Sequence, residues 1–213
     1  DGGRAVGTAV PIRWNARGAI TGGTVSIYYS ADGGLNWTLL TNGLAAQAGY
    51  WAWDSTLSQQ SVEAKLKIVG NDGTEDQSDK LFPVRNAPIT YYVNDGSTNQ
   101  DIYCVGAVGN NANSGVTNTA PMADLNALLD KYDLEGGDIV LIDTGTYSGP
   151  APWRIYQVDS AGNLVDAPVV IQGSTNRLGG GTVLERSFNP VGIEMVNAVG
   201  VELRNITISN TVE

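Results

Sequence analysis

The chain has 213 residues, with 12 basic and 22 acidic side chains and a formal charge of −10; without a basic stripe, this balance argues against binding to a phosphate backbone. It contains no histidine, which removes the commonest general base and zinc ligand and excludes Ser-His-Asp or Cys-His chemistry within the chain. Cys104 is the only cysteine, so no internal disulfide forms, and no apolar run is long enough for a membrane-spanning helix.

Apolar residues at 42% are enough for an ordinary core, and 27 glycines beside only 16% charged residues suit a strand-rich, turn-rich chain. No secretory signal is visible, and the opening DGGRAVG reads like the middle of a loop, so the chain reads as a fragment. Short strands are expected at Pro11–Trp14, Thr24–Tyr29, Trp37–Leu40, Tyr50–Trp53, Ala64–Val69 and Leu81–Val84. In TVSIYY, Val25, Ile27 and Tyr29 share one face, and in AKLKIV, Ala64, Leu66 and Ile68 point in while Lys65 and Lys67 meet water. TGG, DGG, TNG and NDG read as the turns between them. This spacing predicts a β-sandwich over residues 1–86.

One of those turns is SADGGLNW, a Ser-x-Asp-x-Gly-x-x-Trp pattern similar to the Asp-box repeated in sialidase propellers. The chain holds one copy, and a stable turn accounts for Ser30, Asp32, Gly34 and Trp37: Asp32 accepts backbone N–H groups, the glycines take positive φ, and Trp37 packs beneath the hairpin. Next, PIRWNARGAITGGTVSIYYSADGGLNWTLL, GYWAWD and SDKLFPV together resemble the immunoglobulin-like and fibronectin-like modules of bacterial surface proteins and secreted enzymes. The resemblance implies a fold and says almost nothing of activity.

VRNAPIT reads as a linker stiffened by Pro88, leading into a second domain over 87–213. YYV is a strand, and an Asn/Asp/Gly-rich loop follows it. APMADLNALLDKYDL then predicts a helix, with Met122, Leu125, Leu128, Leu129 and Tyr132 on one face, Thr119 as cap, Pro121 in the first turn and Gly136-Gly137 at the end. DIVLIDTGTY, PVVIQG, TVLER, VGIEM and VELRNITIS follow as short strands, and the span from Val169 to Gly192 is close to one coil of a parallel β-helix. YYVNDGS…GNNANSG…APMADLNALL…GGDIVLIDTGTY is similar to the opening of right-handed parallel β-helix proteins of the pectate-lyase-like type. In those, a helix caps the barrel before the first coil, and the catalytic carboxylates, Lys or Arg usually lie on later coils. The fold class expected is therefore mainly β: an immunoglobulin-like sandwich, then the start of a right-handed parallel β-helix capped by one short α-helix.

Three sets of side chains and one strand edge are candidates for function. Asp95, Asp101, Asn111 and Asn113 offer oxygens that suit calcium, the one cofactor considered, with plain turns as the alternative. Trp51, Trp53 and Trp153, with Arg154, offer aromatic platforms for polysaccharide, against core packing as the alternative. Asp138 and Asp143 are five apart and point to opposite faces, whereas Glu185, Glu194 and Glu202, joined by Arg186 or Arg204, fall on successive coil strands where stacking would bring two together. The fourth is the end of the coil itself, which invites copies of the chain to pair. The sequence thus suggests a non-catalytic structural or adhesive segment of a larger secreted or cell-surface bacterial protein. Its alternatives are the non-catalytic portion of a polysaccharide lyase or glycoside hydrolase with its active site downstream, or a carbohydrate-binding accessory.

Overall fold

The computed structural model describes residues 7–17, 22–85, 87–132, 134, 136–149, 151–156, 168–196 and 198–211. Most of the opening DGGRAVG and Asn86, at the expected domain boundary, lie outside them. The chain is mainly β and divides into two compact units, Asp1–Ala87 and Pro88–Glu213.

Unit one contains β1 (Val10–Arg13), β2 (Thr24–Ser30), β3 (Thr38–Ala45), β4 (Tyr50–Trp53), β5 (Ser61–Gly70), β6 (Glu75–Gln77) and β7 (Phe82–Val84). All pairings are antiparallel. β1 pairs with β4, while β3, β2, β5 and β6 lie side by side and β7 also pairs with β5. Strand alternation turns Val25, Ile27 and Tyr29 inward, and all three are buried. Ile27 and Tyr29 join Ile12, Trp53, Ala64, Phe82 and Val84 in one core fed by both sheets. Each large apolar side chain buried there contributes roughly 1.5–3 kcal/mol. Two expectations need correction. The TNG stretch is not a turn: Asn42 and Gly43 sit opposite Ser26 inside β3 as a bulge, with Gly43 at φ 68°. The second is β6, whose three exposed polar residues show no alternation, so only its backbone pairing with β5 reveals it.

Unit two contains β8 (Thr90–Val93), α1 (Leu125–Lys131), β9 (Ile139–Ile142), β10 (Gly145–Ser148), β11 (Trp153–Tyr156), β12 (Val169–Gly173), β13 (Thr182–Glu185), β14 (Ile193–Val196), β15 (Val201–Arg204) and β16 (Ile206–Ser209). Every strand pairing here is parallel, in three ladders: β8-β9-β12-β15, β10-β13-β16 and β11-β14. From β9 onward successive strands step from ladder to ladder, and each passage adds a rung. The rungs do not share one period, because Val169 lies opposite Val201 rather than near Gly192, and the loops differ in length.

The helix is shorter than the sequence suggests. It begins at Leu125, capped by Asp124, whose carboxylate accepts the N–H of Ala127 at 3.0 Å, so Thr119 is not the cap. The reason lies upstream, where the backbone is already committed: Met122 donates to the Tyr92 carbonyl and accepts from Asn94, extending the sheet beyond β8.

Candidate functional site

The SADGGLNW turn is built by its own side chains. The Ser30 hydroxyl donates to Asp32 at 2.7 Å and accepts the Gly34 N–H at 2.8 Å. Asp32 accepts both the backbone and the side-chain N–H of Asn36, at 2.9 and 2.6 Å. These bonds favour the ionised form, so the side chain of Asn36, then its backbone, then Ser30 hold the Asp32 carboxyl down to about 2. Gly33 and Gly34 adopt φ of 73° and 99°. A Cβ at Gly34 would crowd the Trp37 ring at 3.3 Å, and the Lys67 ammonium sits 4.7 Å from the ring centroid.

The aromatic candidates divide. Trp53 is 1% exposed, packs on Tyr29 with ring centroids 5.4 Å apart, and donates its indole N–H to Ser58. Trp153 is 2% exposed and meets Tyr147 edge-on. Neither offers a ring face to a ligand, because each is needed as core. Arg154 is exposed and paired with Glu194 at 3.2 Å. Trp51, on β4, is half-buried and lines a cleft of about 510 Å³.

The four oxygen-rich candidates serve separate structural tasks. Asn111 accepts the N–H groups of Ala123 and Asp124, and Asn113 donates to the Pro121 carbonyl; together they hold the segment that leads into α1. Asp95 accepts the N–H of Ser97 and, at 3.3 Å, that of Thr146 on β10. Asp101 accepts from the Asn94 amide at 2.7 Å, while its other oxygen is buried with no hydrogen-bond partner. Burial holds the Asp101 carboxyl above its usual range, and the Asp143 and Asp95 charges add to the rise. Among the described residues no group of three or more Cys, Asp or Glu side chains is arranged to hold a metal ion.

Sequence reasoning missed the role of Asp143. This fully buried carboxylate, at the corner between β9 and β10, accepts four backbone N–H groups, from Ile102, Tyr103, Cys104 and Thr144, at 2.6–2.8 Å. Asp138, equally buried at the other end of β9, accepts the N–H of Ile89 at 2.8 Å. Both carboxylates hold loops. The three glutamates are not brought together: Glu185, Glu194 and Glu202 lie in three different ladders. Glu185 binds Ser187 and Asn210, and Glu202 binds Arg204 at 2.6 Å. Arg186 joins no carboxylate pair; 1% exposed, it donates to the carbonyls of Gly149, Ala151 and Val191 at 2.7–2.9 Å.

The two ends of the ladders differ sharply. At the first end each of the three strands has at least one edge group met. Gly115 and Met122 bond along β8, the Asp95 carboxylate takes the Thr146 N–H of β10, and the Asn126 amide, from α1, takes the Arg154 N–H of β11 at 2.8 Å. At the other end, β14, β15 and β16 have no outer strand partner among the described residues. The apolar rows that run through the rungs show the same asymmetry. Tyr91, Val140 and Ile171 are each 0% exposed, whereas Leu203, next in register, is 37% exposed. Tyr147 and Leu184 are buried and end in Ile208 at 44%; Ile155 is buried and ends in Met195 at 47%.

Compared with known proteins, the chain matches no family model, no curated protein and no solved structure.

Proposed function

We propose that the chain is a non-catalytic structural segment of a secreted or cell-surface protein. Unit one is an immunoglobulin-like sandwich. Unit two is the capped start of a right-handed parallel β-helix that pairs further strands through its last rung. The single observation that carries this reading is the exposure of Leu203, Ile208 and Met195, each at the end of a buried row whose first rung is covered. Unpaired strand edges beside exposed apolar side chains are a template for more strands. The sandwich reading is supported by one core fed from two antiparallel sheets.

When no further coil is present, the partner is a second copy. Among the described residues the last rung is the end of unit two without outer strand partners, so two copies meet last rung to last rung about a two-fold axis and assembly stops at the dimer. Light scattering coupled to gel filtration tests this. A concentration-dependent dimer, reduced to monomer by Leu203→Lys together with Ile208→Lys, is the expected result. A monomer at all concentrations would overturn the self-pairing reading, and open-ended growth would overturn the claim that the first end is closed.

A further inference from the structure

Trp51 lines a cleft in unit one. Its volume, about 510 Å³, lies within the range of small-ligand sites. Trp51, Trp53, Tyr29 and Leu40 contribute the apolar lining. The polar atoms of the two buried rings are already used within the fold: the Tyr29 hydroxyl donates to the Gln59 carbonyl and the Trp53 indole to Ser58. Trp51 is therefore the aromatic ring left for a ligand.

Polar lining groups come from both stretches that form the cleft: Asp32 and Asn36 from the SADGGLNW turn, and Asp54 and Gln59 from the segment between β4 and β5. One Asp54 oxygen accepts from Thr56, twice; the second oxygen and the side-chain amide of Gln59 have no partner among the described residues. No Lys or Arg lines the cleft. Two carboxylates without a cation repel anionic ligands. A purely cationic ligand would be served by acceptors alone, yet this cleft also offers donors in the Asn36 and Gln59 amides. Donors and acceptors mixed around an aromatic ring match a ligand whose groups both donate and accept, with an apolar ring face to stack.

We infer that this cleft binds a neutral saccharide, with one pyranose ring on Trp51 and its hydroxyls bonded by Asp54 and Gln59. The inference does not rest on the strand-pairing reading, since it concerns unit one alone.

The full chain is titrated with a panel of neutral gluco-, manno- and galacto-configured tetrasaccharides, and with tetragalacturonate as the anionic counterpart. Binding is followed by calorimetry and by the Trp51 indole resonance. At least one neutral tetrasaccharide should bind and shift that resonance, and tetragalacturonate should not. Gln59→Ala, at an exposed position, should weaken binding by about tenfold with an unchanged melting temperature. Trp51→Ala should abolish binding; because Trp51 also packs on the core, the Gln59 variant carries the decision if Trp51→Ala fails to fold. Three outcomes would overturn the inference: no neutral tetrasaccharide binds at millimolar concentration, tetragalacturonate binds as tightly, or Gln59→Ala binds as the parent does.

Discussion

The carboxylate of Asp143 accepts the backbone N–H of Cys104 at 2.6 Å across 39 positions of sequence. With the N–H groups of Ile102, Tyr103 and Thr144 this makes four backbone donors on one buried carboxylate. Asp143→Ala leaves those donors without an acceptor, and a buried unsatisfied donor costs about 1–3 kcal/mol. Unit two should lose at least about 3 kcal/mol in denaturant unfolding. Asp143→Asn keeps one acceptor oxygen and should lose less.

The thiol of Cys104 reports on the same loop. It is fully buried, and burial, followed by the charges of Asp143 and Asp101, pushes it up to about 12. A disulfide reagent at pH 8 should label it only as fast as the loop opens. Asp143→Ala should speed labelling by about tenfold or more, because local opening becomes cheaper. Equal labelling rates in parent and variant would show that Asp143 does not hold this loop.

Asp101 predicts the reverse of ordinary acid behaviour. Its carboxyl is held above the usual value of 3.8, so the folded chain binds the proton more tightly than the unfolded chain. Its unfavourable contribution is fully present above the raised value, and stability is regained as pH falls from there towards 3.8. Asp101→Asn removes the charge and places an amide where the unpartnered oxygen lies. The variant should lose this pH dependence, as measured by unfolding curves followed through the near-ultraviolet signal of Tyr103 and Tyr147.

Asp32 runs the other way. Its folded value of about 2 lies below the usual 3.8, so its stabilising effect is complete above 3.8 and is lost as pH falls towards 2. Four of the five tryptophans, Trp14, Trp37, Trp51 and Trp53, belong to unit one, so fluorescence follows that unit. Asp32→Ala should lower its melting temperature at pH 6 and flatten the fall between pH 4 and about 2. An unchanged melting temperature would mean that the glycines and Trp37 make the turn without the carboxylate.

Much of the strand content was legible because alternation is a local signal. Val25, Ile27 and Tyr29 declare an inward face within five residues, and all three are buried. What could not be read depends on partners distant in sequence. Met122 has helical spacing with Leu125 and Leu129, but Tyr92 and Asn94, some thirty positions earlier, take its backbone into the sheet. Asp95 has the composition of a calcium ligand, but the turn that brings β10 past it decides that it meets Thr146. The cleft beside Trp51 is assembled from two stretches of unit one, 29–40 and 51–59, and no spacing within either announces it. SADGGLNW was readable as a turn because nearly all its bonds close within four residues.

The stacking of β8, β9, β12 and β15 also fixes how unit two carries a load. Its first strand and its last rung sit at opposite ends of the ladders, and the backbone bonds between rungs run along the line joining those ends. Tension applied through the chain at Thr90 and Ser209 therefore strains these bonds along their length, one rung after another, rather than shearing whole strands at once. Such a unit yields at low force in successive steps and lengthens by a rung at a time.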